Sequence, residues 1–297
     1  MQHRQGGPPW ICGWAVRRST RFGCASLRLS HALPCPEIEM TPGFYGKIPS
    51  AGDFVGRGWS PGLRDGLDLL VRSGLGAFAT EGKSLTDVMP QAPALALAVR
   101  PGALAASGCA GVMVPSADRV GREFALCVGF ETTGAAADFG WLPASAVTVL
   151  HGLALRALDR VLSADDLVDA LEGIDRADRF SRGYDAQVVG GDDTLPRLDP
   201  SAALLWMPAP GGDLASSVRA LCAMLRTSAV LLGERLDVAG RCEGYFAARR
   251  VLAARELAAW FDGEWTARGW TTLAAPAGAA PDDDPTRPPP RSPQALA

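Results

Sequence analysis

Phe44-Tyr45-Gly46-Lys47-Ile48-Pro49-Ser50-Ala51-Gly52-Asp53-Phe54 is the stretch on which the reading of this chain turns. Phe44 to Ile48 predicts a strand that ends at Pro49 and runs into a turn of Pro, Ser, Gly and Asp. Each turn residue has its own job: Pro fixes φ, Gly permits φ > 0, and Ser or Asp bonds its own backbone. Val114-Pro115-Ser116-Ala117-Asp118-Arg119-Val120-Gly121-Arg122 repeats the pattern downstream. The first turn carries Lys47, Asp53 and Arg57, the second Asp118, Arg119 and Arg122. If the two strands are neighbours, these groups converge on one rim of a sheet.

Composition excludes several functions. A net charge of −3 without a basic, aromatic-studded stripe gives no nucleic-acid footprint. No apolar run reaches the roughly 20 residues of a membrane-spanning helix. The seven cysteines form no CxxC pair, and the clustered thiolates or imidazoles of a metal site are missing. Cys109, Cys127 and Cys222 sit in apolar surroundings and read as buried free thiols of a reducing cytosol. Among three histidines only His151 lies in a globular segment, on an apolar helical run where a structural or surface role is expected.

Residues 1–39 differ from the rest, with five arginines against two glutamates and three of the cysteines. They lack the apolar core of a secretory, twin-arginine or lipoprotein signal. Met40 opens the globular sequence, so 1–39 are expected to be a disordered extension upstream of the true start. Ser60-Pro61 then predicts an N-cap and a first-turn proline. Leu63, Leu67, Leu70, Val71, Leu75 and Phe78 follow on one helical face. Gly66, Gly74 and Gly76 are expected to weaken that helix by about 1 kcal/mol each.

Ala94–Val99, Cys109–Val114 and Phe124–Phe130 predict three strands, the second closed by Pro115-Ser116, close enough in sequence to be antiparallel neighbours. Helical patterns follow over Trp141–Leu162 and Ala164–Leu171, the latter with Ser163, Asp165 and Asp166 at its start. Arg176–Pro200 reads as a polar surface connection. A strand at Ala202–Met207, a helix near Leu214–Leu225, a strand at Ser228–Leu232 and a helix at Ala253–Phe261 suggest a smaller C-terminal α/β lobe over 181–272. A disordered tail rich in Pro, Ala and Asp occupies 273–297, and no internal repeat is detected by eye.

Two motif matches fail. The Gly-Lys pair of the first turn lacks P-loop spacing and runs into Pro49. Gly52-Asp53-Phe54-Val55-Gly56-Arg57-Gly58 resembles the GDxVDRG segment of dimetal phosphatases, but its second Asp is Gly56 and the companion histidine segments are missing. Lys47, Arg57, Arg119 and Arg122 are expected to keep Asp53 and Asp118 ionised, which suits loop pairing or partner binding better than proton transfer. The partner-binding candidates are therefore Lys47, Ser50, Asp53, Arg57, Ser116, Asp118, Arg119 and Arg122. No catalytic residue, cofactor or metal is expected.

Gly43-Phe44-Tyr45-Gly46-Lys47-Ile48-Pro49-Ser50-x-Gly52-Asp53-Phe54, followed by Gly111-Val112-Met113-Val114-Pro115-Ser116-x-Asp118-Arg119-Val120-Gly121-Arg122, resembles the N-terminal domain of the TagF family, associated with bacterial type VI secretion. The resemblance covers about residues 40–150, and the domain is expected over 40–180. It implies an α/β (α+β) fold, longin- or profilin-like, with an antiparallel-rich central sheet flanked by helices. It further implies a cytoplasmic, non-enzymatic repressor of type VI secretion that binds an Fha-type forkhead-associated scaffold protein. The alternatives are a phosphoester hydrolase or a small-molecule sensor built on the Asp53/Asp118/Arg122 rim.

Overall fold

Ala94–Val99 is a run of six small or branched apolar residues, and all six are buried. A strand buried on both faces belongs in the middle of a covered sheet, and there it stands. The computed structural model describes residues 39–88, 92–133, 142, 144–174, 201–207 and 230–274. The strands are β1 (Glu39–Gly46), β2 (Val55–Arg57), β3 (Ala94–Val99), β4 (Gly108–Ala117), β5 (Glu123–Thr133), β6 (Ala203–Met207), β7 (Leu231–Leu236), β8 (Cys242–Ala248) and β9 (Thr271–Ala274). They form one sheet in the order β2-β1-β5-β4-β3-β7-β8-β6-β9, antiparallel except for the β6–β9 pair. This is the expected antiparallel-rich sheet, and the β3–β7 ladder carries it without a break into the C-terminal strands.

The helices are α1 (Pro61–Ala79), α2 (Leu85–Val88), α3 (Ala144–Leu158), α4 (Ala164–Glu172) and α5 (Ala254–Asp262). They divide between two apolar cores. Leu63, Leu67, Leu70 and Val71 of α1 join Leu257, Trp260 and Phe261 of α5 over one face of the sheet. Val147, Leu150 and Ala154 of α3 join Leu167 and Leu171 of α4 over the other. The expected cap at Ser60 is present: its hydroxyl accepts the Leu63 N–H, with Pro61 just inside the helix. Glu131 of β5 anchors that helix start, accepting the Ser60 N–H at 2.7 Å and hydroxyls from Ser60 and Ser107 at 2.5 Å. Ser163 and Asp166 close the reciprocal cap of α4.

Four expectations change. β1 begins at Glu39, before the expected Phe44, because Glu39 to Pro42 pair with the end of β5. β4 runs through Pro115-Ser116 to Ala117. Its last residue paired with β3 is Met113, opposite Leu95, so Pro115 stands where only the β5 ladder continues and its missing donor is tolerated. The Ser228–Leu232 strand is observed as Leu231–Leu236. Gly74, expected only to weaken α1, lies where α5 packs closest: a Cβ there would meet Leu257 and Phe261 at 3.0 Å. The extension through residue 38, the connection over 176–200, the helix near Leu214–Leu225 and the tail after Ala274 lie outside the described residues.

Candidate functional site

β1 and β4 are not neighbours, since β5 lies between them. The two turns meet nonetheless, because the β4–β5 turn reaches across the start of β5. Ser116 Oγ donates to the Lys47 carbonyl at 2.6 Å, the Arg119 N–H to the Ala51 carbonyl at 2.8 Å, and Arg122 Nη2 to the Gly52 carbonyl at 2.5 Å. Asp118 is the hub. Its carboxylate accepts the N–H groups of Val120 and Arg122, Arg122 Nε at 2.7 Å, and Lys47 Nζ at 3.2 Å. Burial raises its pKa, but the Arg122 bonds, Lys47 and the Val120 N–H outweigh that and hold it well below the usual carboxylate range. Arg122 also reaches Asp53, at 3.8 Å.

Lys47 is itself only 5% exposed. Its ammonium donates to the Arg122 carbonyl at 3.3 Å and lies 4.9 Å from the centroid of the Phe54 ring. Phe54 stacks on Tyr45 at 5.7 Å and meets Phe124 edge-on at 4.7 Å, with the Arg72 guanidinium 5.3 Å from its centroid. Tyr45 Oη donates to Asp68 of α1 at 2.8 Å. Phe44 and Ile48 enter the opposite core. The motif of the first turn is thus consumed largely in fixing the turn.

The predicted site residues separate by depth. Lys47, Ser116 and Asp118 are 5%, 1% and 4% exposed and lie behind the surface. Ser50, Asp53, Arg119 and Arg122 face solvent together. Arg57 stands apart: it closes β2 and pairs with Asp165 of α4 at 3.7 Å. Sequence reasoning missed the Tyr45, Phe54, Phe124 and Asp68 packing beneath the turns, whose only signal was aromatic residues alternating with core residues in β1.

A second miss is larger. Asp237-Val238-Ala239-Gly240-Arg241 joins β7 to β8 with the same D-x-x-G-R spacing as Asp118 to Arg122. Asp237 Oδ1 accepts the Ala239 and Arg241 N–H groups at 2.9 and 2.8 Å, Asp237 Oδ2 accepts Arg241 Nε at 2.7 Å, and the Asp237 N–H donates to the Arg241 carbonyl. Gly121 and Gly240 both take positive φ, 83° and 75°. His151 of α3 lies against this second turn, its Nδ1 2.8 Å from where a Gly240 Cβ would be, and burial lowers its pKa. His151 is therefore a structural histidine.

Among the described residues no group of three or more His, Cys, Asp or Glu is placed to hold a metal, and no helix is long and apolar enough to cross a membrane. Cys109 and Cys127 are buried thiols, that of Cys109 pushed up to about 12 by burial. Cys222 lies outside the described residues. An open cleft of about 300 Å³ lies at the far end of β5 from the rim, lined by Ser60, Ser107, Glu131 and Thr132 among others.

Residues 43–174 match the family described as TagF N-terminal domain, type VI secretion system-associated. Over that stretch the chain is similar to the TagF N-terminal domain. Both charged turns that meet at Asp118 fall inside the matched residues, and the second D-x-x-G-R turn falls outside them. By fold the chain is similar to PA0076 from Pseudomonas aeruginosa PAO1, with a TM-score of 0.51 and 23% identity over 75% of this chain and 94% of that one. That coverage is wider than the TagF domain, and the likeness is one of fold. No curated protein matches the chain by sequence.

Proposed function

We propose that this chain is a negative regulator of type VI secretion that acts in the cytoplasm by binding, without catalysis, an Fha-type forkhead-associated scaffold protein. The TagF N-terminal domain over 43–174 carries the reading by tying the chain to the secretion system. The rim chemistry supports binding over catalysis. Asp118 is buried and committed to four donors, so it has no lone pair poised for a substrate proton. Asp53 is 81% exposed at its side chain, outside any enclosed site. The hydrolase alternative lacks a working pair of carboxylates at the rim, and the cleft described above lies at the far end of β5 from the rim on which the sensor alternative was built.

The test is genetic and biochemical together. Deleting the gene is expected to raise secretion of type VI effectors, and restoring it to lower them. The purified chain is expected to retain the cognate Fha-type protein in a pull-down regardless of its phosphorylation state. Unchanged secretion after deletion would remove the repressor role. Retention only of the phosphorylated scaffold would remove the phosphorylation-independent contact.

A further inference from the structure

The second D-x-x-G-R turn is an internal control for the first. Asp237 to Arg241 closes the β7–β8 hairpin with its own Asp, Gly and Arg, and among the described residues no second loop is bonded to it. The first turn makes the same bonds and adds a lock the hairpin does not need. That lock is the buried Lys47–Asp118 pair, the Ser116 hydroxyl on the Lys47 carbonyl, and two bonds from Arg119 and Arg122 to the backbone of Ala51 and Gly52. Burying two charges has a desolvation cost that their attraction only partly returns. What the lock achieves lies on the outside: it holds two loops as one rigid surface.

That surface has a definite character. Arg119 is exposed and makes no ion pair among the described residues, and its backbone N–H is tied to Ala51. Val120 beside it is 67% exposed. Lys47, Arg119 and Arg122 face two carboxylates, Asp53 and Asp118, so the cluster keeps a positive excess on a chain of net charge −3. An exposed apolar side chain with Arg119 and Arg122 on either side of it in the turn suits a partner that brings carboxylates and one apolar group, because ordering costs have already been met.

We infer that the face formed by Arg119 and Val120, flanked by Asp53 and Arg122, docks an acidic segment of the partner protein that inserts an apolar side chain beside Val120. This rests on the regulator reading above and assigns its contact surface. Arg119→Glu and Val120→Asp change side chains that point outward, and Val238→Asp makes the same change at the second turn, where Val238 is 89% exposed.

Binding of each purified variant to the cognate Fha-type protein is measured by interferometry at two salt concentrations, with thermal melts as a check on folding. Each variant is also returned to the deletion strain. Arg119→Glu is expected to weaken binding about tenfold through slower association and to flatten the salt dependence. Val120→Asp should weaken it about tenfold by placing a charge against an apolar group. Val238→Asp should bind and repress as the unaltered chain does. Arg119→Glu and Val120→Asp that melt, bind and repress normally overturn the assignment of this face. An unaltered chain that neither binds the scaffold nor represses secretion overturns the regulator reading, and this face falls with it. Loss of a dimer in sedimentation, with scaffold binding intact, makes the face a self-association surface and overturns the proposal.

Discussion

Asp118–Arg122 and Asp237–Arg241 are the same turn in two settings. Both use one carboxylate to hold two backbone N–H groups and an arginine, and both place a glycine at positive φ. The first leans on a neighbouring loop through a buried charge pair, the second on a helix through His151. The comparison teaches that an Asp–Arg pair four residues apart is a hairpin fastener in its own right. Only what is added to the fastener distinguishes the rim from the plain hairpin bend.

Removing the addition should have the largest effect. Lys47→Met leaves the Asp118 carboxylate buried without its ammonium partner and is expected to cost about 3 kcal/mol in urea unfolding. A loss below about 1 kcal/mol would show the lock to be dispensable to the fold. The glycines give the next contrast. Gly240→Ala combines positive φ with a Cβ 2.8 Å from His151 and should cost about 2–3 kcal/mol, whereas Gly121→Ala, open to solvent, should cost about 1 kcal/mol. Equal losses would mean that α3 yields freely at the second turn.

Acidification should separate the two turns by pH. Burial lowers the His151 pKa from its ordinary 6.5, so the unfolded chain takes up that proton first. The stability contributed by His151 then declines as pH falls below about 6.5. The carboxylates of Asp118 and Asp237 are held below their ordinary 3.8, so their contribution is full above about pH 4 and is lost as pH falls through the folded values. Between pH 7 and 5 the buried Glu234 carboxyl, pushed up to about 7, contributes the opposite trend, so the urea midpoint of His151→Gln minus that of the unaltered chain should rise as pH falls. A difference that stays level across that range removes His151 from the pH dependence. The smallest effect is expected from Arg241→Ala, about 0.5 kcal/mol, because its pair with Asp237 is solvent-exposed on the arginine side.

Much of the fold was legible where local signals are strong. Ser60-Pro61 marks the start of α1, and the apolar run of β3 has the expected bounds, because cap chemistry and continuous hydrophobicity are written in adjacent residues. β4 was cut short because proline stops a strand in isolation, and only the staggered end of β3 explains why Pro115 is allowed to stay. β8 was missed because Cys-Glu-Gly opens it without alternation, and its strand character depends on pairing with β6 and β7. The meeting of the two charged turns was foreseen, but through neighbouring strands. The structure uses a turn that crosses β5 instead. Which of those charges are buried was not legible, because Lys47 and Arg119 look alike until the loop that covers one of them is in place. The second D-x-x-G-R was readable in the letters themselves and went unrecognised as a repeat.

The pairing of β3 with β7, and of α1 with α5 across the shared core, has a practical consequence for anyone who would excise the matched domain. A fragment ending at residue 174 would strip the outer hydrogen bonds from the most apolar strand in the molecule and bare the side of α1 that now meets Leu257 and Phe261. A naked, flat, hydrophobic border of that kind recruits other chains edge to edge. The stretch that carries the family likeness is thus shorter than the stretch that closes its own sheet and core.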